Sequence, residues 1–77
     1  MKDLTMTIEK QMGMRIRFLR KQRKLSIEDL ALEANVNKNY LSDLERGMRN
    51  PSLKILSRIA SALKISMSEL LKGIEEF

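Results

Sequence analysis

A chain of 77 residues, interpreted as one domain over 1–77, can build one small hydrophobic core and is too short for a second, catalytic or ligand-sensing domain. The lack of cysteine and histidine argues against disulfides, zinc sites and the commonest nucleophiles, so we expect no enzyme activity, metal, cofactor or small-molecule ligand. The net charge of +5 favours nucleic acid or an acidic membrane surface as partner, and the absence of a membrane-spanning run or secretory leader predicts a cytoplasmic protein.

The first predicted helix runs from about Thr7 to Lys24, because apolar residues recur every three or four positions. That stripe consists of Ile8, Met12, Ile16 and Leu19. Gly13 should weaken the helix locally without ending it. The other faces carry a basic cluster made of Lys10, Arg15, Arg17, Arg20, Lys21, Arg23 and Lys24. Such a cluster either keeps a helix soluble or faces phosphates, and Arg17 is a candidate for a phosphate contact.

One member of the basic cluster has a different prediction. Arg20 lies one turn beyond Ile16, at the edge of the apolar stripe, so we expect it to be partly buried and to need a partner. Glu45, at the border of the apolar face of the third predicted helix, is the candidate. A bidentate pair between Arg20 and Glu45 would tie the first helix to the third, and both residues would then be structural.

Residues 26–47 carry the most specific pattern, two short helices joined by a tight turn. Ser26 is a good N-cap, and Asp29 three residues later can complete a capping box. Asn35 tolerates the left-handed conformation that ends a helix, and Asn37 is a strong N-cap for the next one. Two capped helices with a three-residue turn between them form a helix-turn-helix motif, here the second and third helices of the chain.

The third predicted helix, which Gly47 closes, has one side to bury and one to present. Leu41 and Leu44 fall on the first side. The opposite side carries a polar arc formed by Lys38, Asn39, Ser42, Asp43 and Arg46. A polar arc can be simply a solvated surface. Lysine, arginine and amide side chains, however, read base edges and phosphates, and the second helix of such a motif commonly enters the major groove of DNA.

Two further helices follow the loop 48–52. Ser52 should cap a fourth helix with the apolar stripe Leu53, Leu56, Ile59, Ala60 and Leu63. Ser66 and Glu69 form a capping box for a fifth helix, expected to run towards Phe77. Its apolar residues either close the core or contact another subunit. The core alternative is open for Leu70 and Leu71. We expect a dimerisation region at about 63–77, with an interface made of Ile65, Met67, Leu70, Ile74 and Phe77.

No stretch alternates like a strand, so the predicted fold is all-α, a compact five-helix bundle containing the helix-turn-helix. The stretch 15–71 also resembles the phage repressor and Cro (Xre-type) family, which has a lambda-repressor-like DNA-binding domain. The resemblance rests on Arg15-Ile16, Leu19-Arg20, Leu25-Ser26, Tyr40-Leu41-Ser42, Leu44-Glu45-Arg46-Gly47 and Asn50-Pro51-Ser52. A stand-alone basic domain of this length is most similar to the controller proteins of type II restriction–modification systems.

The resemblance implies roles for individual residues. Base edges would be contacted by Lys38, Asn39 and Ser42, with Asp43 at the edge of that surface. The sugar-phosphate backbone would be held by Asn37, Tyr40, Arg46 and Arg49. The Arg20–Glu45 pair would correspond to a buried ion pair that the family often has. By the same resemblance, the fifth helix and the end of the fourth would form the dimer contact.

The chain departs from the family at two positions. Ile27 replaces a glutamine that commonly contacts phosphate, which leaves the helix N-terminus near Ser26 to offer backbone amides. Lys24 replaces a frequent glycine, so the first helix needs a different cap.

The favoured hypothesis is a homodimeric transcriptional regulator that binds inverted-repeat operators in double-stranded DNA and controls its own restriction–modification operon. RNA polymerase is a further partner if the protein activates transcription. One alternative is an antitoxin-like or adaptor module that uses the same fold to bind protein. Another is a membrane-surface protein, which is the weakest because the basic residues are not segregated on one long helix.

Overall fold

The computed structural model describes residues 6–75, and over that range the chain is helical with no strand. The five helices are α1 Ile8–Gln22, α2 Ile27–Ala34, α3 Lys38–Glu45, α4 Leu53–Ala62 and α5 Met67–Leu70. The predicted all-α, five-helix architecture is confirmed. None of the helices in the described range is long and apolar enough to cross a membrane.

Each of these helices begins at a side chain that caps it. The capping residues are Thr7, Ser26, Asn37, Ser52 and Ser66. Each side-chain oxygen accepts a hydrogen bond of 3.0–3.1 Å from the backbone amide three residues later. The predicted capping box of α2 is present, because Asp29 Oδ2 also accepts from the Ser26 amide at 3.1 Å. Caps satisfy amides that have no partner within the helix, and this is why the sequence predicted the helix starts well.

The ends of α1 to α4 share one geometry. Each is followed by a residue in the left-handed backbone region, namely Lys24, Asn35, Gly47 and Lys64. The next amide then donates to the carbonyl oxygen five residues earlier, as Leu25 does to Arg20. Lys24 itself adopts the conformation for which glycine is favoured, with φ of 58°. As a result α1 ends at Gln22, two residues before the predicted end.

The core fills the space between α1 and the other helices. Its fully buried large side chains are Ile16, Leu30, Leu41, Leu44, Ile59, Leu63 and Leu70. Two residues of the predicted apolar stripes lie outside it. Ile8 is 37% exposed and Leu53 is 73% exposed, because each is the first residue of its helix and lies at the rim of the packed helices.

Gly13 marks the closest approach of α1 to α3. A Cβ atom at this position would meet the carbonyl oxygen of Leu44 and would lie 2.6 Å from that of Glu45. Gly47, with φ of +79°, is similarly close to α1, since a Cβ there would lie 2.8 Å from the Cα of Lys10. The glycine that the sequence marks as a weak point of α1 is therefore the position at which α3 packs against it.

The end of the described chain differs from the prediction. The helix α5 stops at Leu70 and does not run to Phe77, because a turn follows in which Gly73 has φ of +81°. The backbone of Glu75 then pairs with the Gln11 side chain, whose Nε2 donates to the Glu75 carbonyl at 2.8 Å and whose Oε1 accepts from the Glu75 amide at 3.1 Å. This pairing holds the segment after α5 against α1.

Candidate nucleic-acid interface

The helix α3 is held by one side and open on the other. Leu41 and Leu44 on its inner side are fully buried, and the helix packs against α1 and α2. The outer side carries the predicted polar arc. Within that arc Lys38, Asn39 and Arg46 are exposed, while Ser42 and Asp43 are half-buried. The structure therefore brings these five side chains together on one side of the domain, which we call the α3 face.

The buried ion pair joins α1 to the inner border of α3. Arg20 Nε donates to Glu45 Oε2 at 2.7 Å and Arg20 Nη2 donates to Glu45 Oε1 at 3.0 Å, which is the bidentate arrangement. The two side chains are only 9% and 3% exposed. Arg20 Nη1 also donates to the Leu25 carbonyl, and the hydrogen bond with Glu45 raises the pKa of Arg20 above its ordinary value. The pair sets the position of α3 on α1.

A second cluster lies at the outer end of α3. Asp43 Oδ1 accepts from Arg46 Nη2 at 2.6 Å, and Asp43 Oδ2 accepts from Arg49 Nη2 at 3.4 Å. The Arg49 guanidinium lies over the Tyr40 ring, 5.5 Å from its centroid. The hydrogen bond from Arg46 is the main cause that lowers the pKa of the Asp43 carboxyl below its ordinary value. We call Asp43, Arg46, Arg49 and Tyr40 the arginine network. The sequence predicts separate DNA contacts for these residues but not their mutual contact.

The first turn of α3 has its own polar contacts. Lys38 Nζ lies 3.5 Å from Glu28 Oε2 across the turn between α2 and α3, and both side chains are more than half exposed. The pKa of the Glu28 carboxyl is lowered, chiefly by a hydrogen bond with its own backbone amide and then by Lys38. Asn37 uses its side-chain oxygen to cap the helix at the Tyr40 amide, so its NH₂ group faces away from that contact and can still donate.

The basic cluster of α1 separates into two groups. Three members have structural partners, since Arg20 binds Glu45, Arg15 binds both the side chain and the carbonyl of Glu69, and Arg23 Nη1 donates to the Ala62 carbonyl at 3.1 Å. The second group consists of Lys10, Arg17, Lys21 and Lys24, which are exposed, as Arg23 also is. Lys10 lies beside Gly47, next to the end of α3, and the sequence gives no reason to select it from the other lysines.

The predicted dimerisation residues are not equivalent. The assignment of Leu70 is wrong, because its side chain is fully buried inside the monomer and cannot meet a partner. Ile65, Met67 and Ile74 are half-buried and pack against the core, whereas Phe77 lies outside the described residues. Ile74 also lines an apolar groove of about 120 Å³, together with Ile8, Glu9, Met12, Asn50, Pro51, Leu56 and Leu71.

Two large apolar side chains on α1 are open to solvent, and neither belongs to the predicted apolar stripe. Met14 is 52% exposed and Phe18 is 54% exposed, and their spacing of four residues places them side by side on the helix.

Two capped helices, α2 and α3, are joined by a three-residue turn, and the second is held by its apolar face with its polar face outward, which is the arrangement of a helix-turn-helix protein. The chain belongs to the helix-turn-helix family, whose model matches residues 16–70, and the Xre-type assignment from the sequence is confirmed. One relative is the HTH-type transcriptional regulator DdrOP3 of Deinococcus deserti, 48% identical over 61 residues that make up 79% of this chain and 47% of the relative. The chain thus spans less than half the length of that relative.

Solved structures give the same assignment. The restriction–modification controller protein C.AhdI from Aeromonas hydrophila is 40% identical with a TM-score of 0.77, and the match covers 82% of this chain and 94% of the controller. The biofilm regulator SinR, in a complex with DNA, is 39% identical with a TM-score of 0.75, covering 79% of this chain and 98% of that one.

Proposed function

We propose that this protein is a transcriptional regulator that binds double-stranded DNA in a sequence-specific manner, with α3 in the major groove. The observation that carries the proposal is the contrast between the two sides of α3. Its inner side is fixed by buried leucines and by the Arg20–Glu45 pair, while its outer side presents donors and acceptors to solvent. A rigid helix with such a face meets the main requirement for direct readout of base edges.

In this proposal Lys38, Asn39 and Ser42 read bases from the first two turns of α3. Asn39 is exposed and carries both a donor and an acceptor, which suits the paired groups on the major-groove edge of adenine. Lys38 would exchange its contact with Glu28 for a guanine edge, at little cost because an exposed pair of this kind contributes little to stability.

The phosphate contacts are assigned to side chains around the rim of the α3 face. Arg46, Arg49 and Tyr40 lie at the end of α3 and in the loop after it, and Asn37 and Ser26 lie at the helix starts. The position of Arg17 supports a phosphate contact for this residue. Gly13 and Arg20 both face α3, and Arg17 lies between them on α1. Such contacts fix the register of the protein on the duplex without reading sequence.

Dimerisation is the second part of the proposal. One copy of α3 reads only a few base pairs, whereas two copies about 34 Å apart read an inverted repeat one turn of B-DNA long. We assign the contact to Ile65, Met67 and Ile74, which are half-buried at the surface of the core. The predicted contribution of Phe77 falls outside the described residues. The test is sedimentation of Met67→Glu, expected to be a folded monomer, with Phe18→Glu as the matched control on the exposed α1 surface. If Phe18→Glu is monomeric and Met67→Glu is still dimeric, the dimer interface lies on α1 instead.

The biological role proposed is that of a restriction–modification controller acting on its own operon. Support comes from the match with C.AhdI, which includes nearly all of that controller at 40% identity.

The test of DNA binding is selection of bound sequences from a pool of random duplexes. The expected consensus is an inverted repeat. Asn39→Ala should then relax the preference at one base pair per half-site, with a loss of about 1–3 kcal/mol, whereas Arg46→Ala should weaken binding to all sequences and reduce its salt dependence. Equal, sequence-independent losses in both variants would refute the assignment of readers and phosphate contacts. Binding that does not weaken with salt would favour a protein-binding adaptor instead.

A further inference from the structure

Asp43 is the one acidic residue on the α3 face, and the structure assigns it a role different from base reading. We propose that Asp43 is a positioning residue that orients the guanidinium groups of Arg46 and Arg49 towards the phosphate backbone. This inference rests on the proposed DNA-binding function. It also explains why a carboxylate is found on a surface that must approach a polyanion.

Both oxygens of the Asp43 carboxylate are already engaged. Oδ1 accepts from Arg46 at 2.6 Å and Oδ2 accepts from Arg49 at 3.4 Å. A carboxylate that reads a base must offer an oxygen to the exocyclic amine of cytosine. Each carboxylate oxygen can accept more than one hydrogen bond, but a cytosine amine at Asp43 would have to share an oxygen with Arg46 or Arg49 and would weaken the contact that orients that arginine.

The depth of the three side chains points to the same role. The Asp43 side chain is 25% exposed, whereas those of Arg46 and Arg49 are 62% and 52% exposed. The carboxylate therefore lies beneath two guanidinium groups that extend further into solvent. Each guanidinium has five N–H donors, so a contact with Asp43 leaves donors free for a phosphate. The cluster as a whole keeps a charge of about +1, which phosphate still attracts.

A fixed orientation lowers the entropic cost of binding. Arginine side chains lose rotamer freedom when they bind a phosphate, and a residue that already holds them removes part of that loss. Arg49 is held on two sides, by Asp43 and by the Tyr40 ring. Since Arg49 lies in the loop after α3, Asp43 links that loop to the end of the helix.

The experiment measures affinity for the duplex selected by the wild-type protein, by fluorescence anisotropy over a range of salt concentrations. Asp43→Asn should bind the duplex about tenfold more weakly, although the loss of a negative charge makes the protein more positive. Its thermal midpoint should be unchanged. Glu33→Gln is the matched control, because it makes the same charge change on the exposed surface of α2 and should not weaken binding. Repeating the sequence selection with Asp43→Asn should return the same consensus.

The decisive comparison uses the Arg46→Gln/Arg49→Gln background. With no arginine left to orient, Asp43→Asn should not weaken binding any further. If Asp43→Asn keeps its full effect in that background, or changes the consensus at one base pair, Asp43 is a base reader and the inference is wrong. If the wild type and Asp43→Asn bind the duplex equally well, the inference is also wrong, but the proposed function is unaffected. A wild-type protein that binds no duplex overturns both.

Discussion

Two arginine–carboxylate clusters lie on α3, and they differ in almost every physical respect. Glu45 and Arg20 are nearly excluded from water, and their bidentate contact joins two helices. Asp43, two residues away and about 200° around the helix, contacts Arg46 and Arg49 at the solvent boundary. The buried pair is costly to disrupt, whereas the exposed network adds little to stability and is available to a ligand. The two clusters use the same types of charged group, and only their environment separates the structural cluster from the one that we propose to bind DNA.

The largest expected effect comes from breaking the buried pair. Arg20→Met or Glu45→Leu alone should each lower the free energy of unfolding by about 3–5 kcal/mol, because the remaining charge is buried without its partner. Urea denaturation measures the loss. In the double variant the loss should be much smaller than the sum of the single ones. Strict additivity in this cycle would show that the two residues do not stabilise each other.

The second prediction concerns the helix crossing on which the buried pair depends. Gly13→Ala should lower stability by about 1–3 kcal/mol, because the new methyl group would overlap the carbonyl oxygens of Leu44 and Glu45. Helix propensity alone predicts the opposite sign. The exposed neighbour Met14 supplies the control, since Met14→Ala should change little. A thermal midpoint for Gly13→Ala above that of the wild type would mean that α1 and α3 are not in close contact.

The contrast between buried and exposed polar groups extends to the two glutamines of α1. Gln11 is buried and pairs with the backbone of Glu75, whereas Gln22 is exposed. Gln11→Ala should cost about 1–3 kcal/mol and expose the Glu75 amide to solvent, while Gln22→Ala should have little effect. Hydrogen exchange followed by NMR would report the protection of that amide. If the protection is unchanged in Gln11→Ala, the Gln11 side chain does not hold the segment after α5.

The smallest effect is the titration of the exposed network. The hydrogen bond from Arg46 holds the pKa of the Asp43 carboxyl below its ordinary value of 3.8. Because the folded pKa lies below the unfolded one, the contribution to stability is complete above about pH 4 and is lost as the pH falls through the folded pKa. Carboxyl ¹³C shifts should show that Arg46→Gln raises the Asp43 pKa. If Arg46→Gln leaves it unchanged, the two side chains are not in contact in solution.

Local signals in the sequence account for most of the fold. Capping residues such as Ser26 and Asn37 act within three residues of themselves, so they predict helix starts without knowledge of the rest of the chain. Gly13 and Gln11 act on atoms that are distant in sequence. From the sequence alone, a glycine inside a helix is expected to destabilise it, and a glutamine on a helix is expected to be exposed. Their actual roles depend on the backbone that faces them in the fold.

The candidate site shows the same division. Periodicity brought the five polar residues of the α3 face together, and position at a stripe edge predicted the Arg20–Glu45 pair. The contacts of Arg49 were missed because it lies in an irregular loop, to which no helical period applies. The Asp43–Arg46 contact, in contrast, has the three-residue spacing that makes side chains neighbours on a helix, so this part of the network could have been found from the sequence. Leu70 was assigned to an interface because its apolar character alone does not distinguish a core residue from a contact surface.

In the proposed complex the outer face of α3 contacts DNA, while the buried Arg20–Glu45 cluster only supports the helix. The most direct measurement is an NMR titration of ¹⁵N-labelled protein with the duplex selected from the random pool. We expect the largest amide shifts at 37–46 and at Arg49, with small shifts at the buried Gln11, Met12 and Ile16 of α1. Largest shifts on α5 or on the outer surface of α4, with residues 37–46 unperturbed, would contradict it.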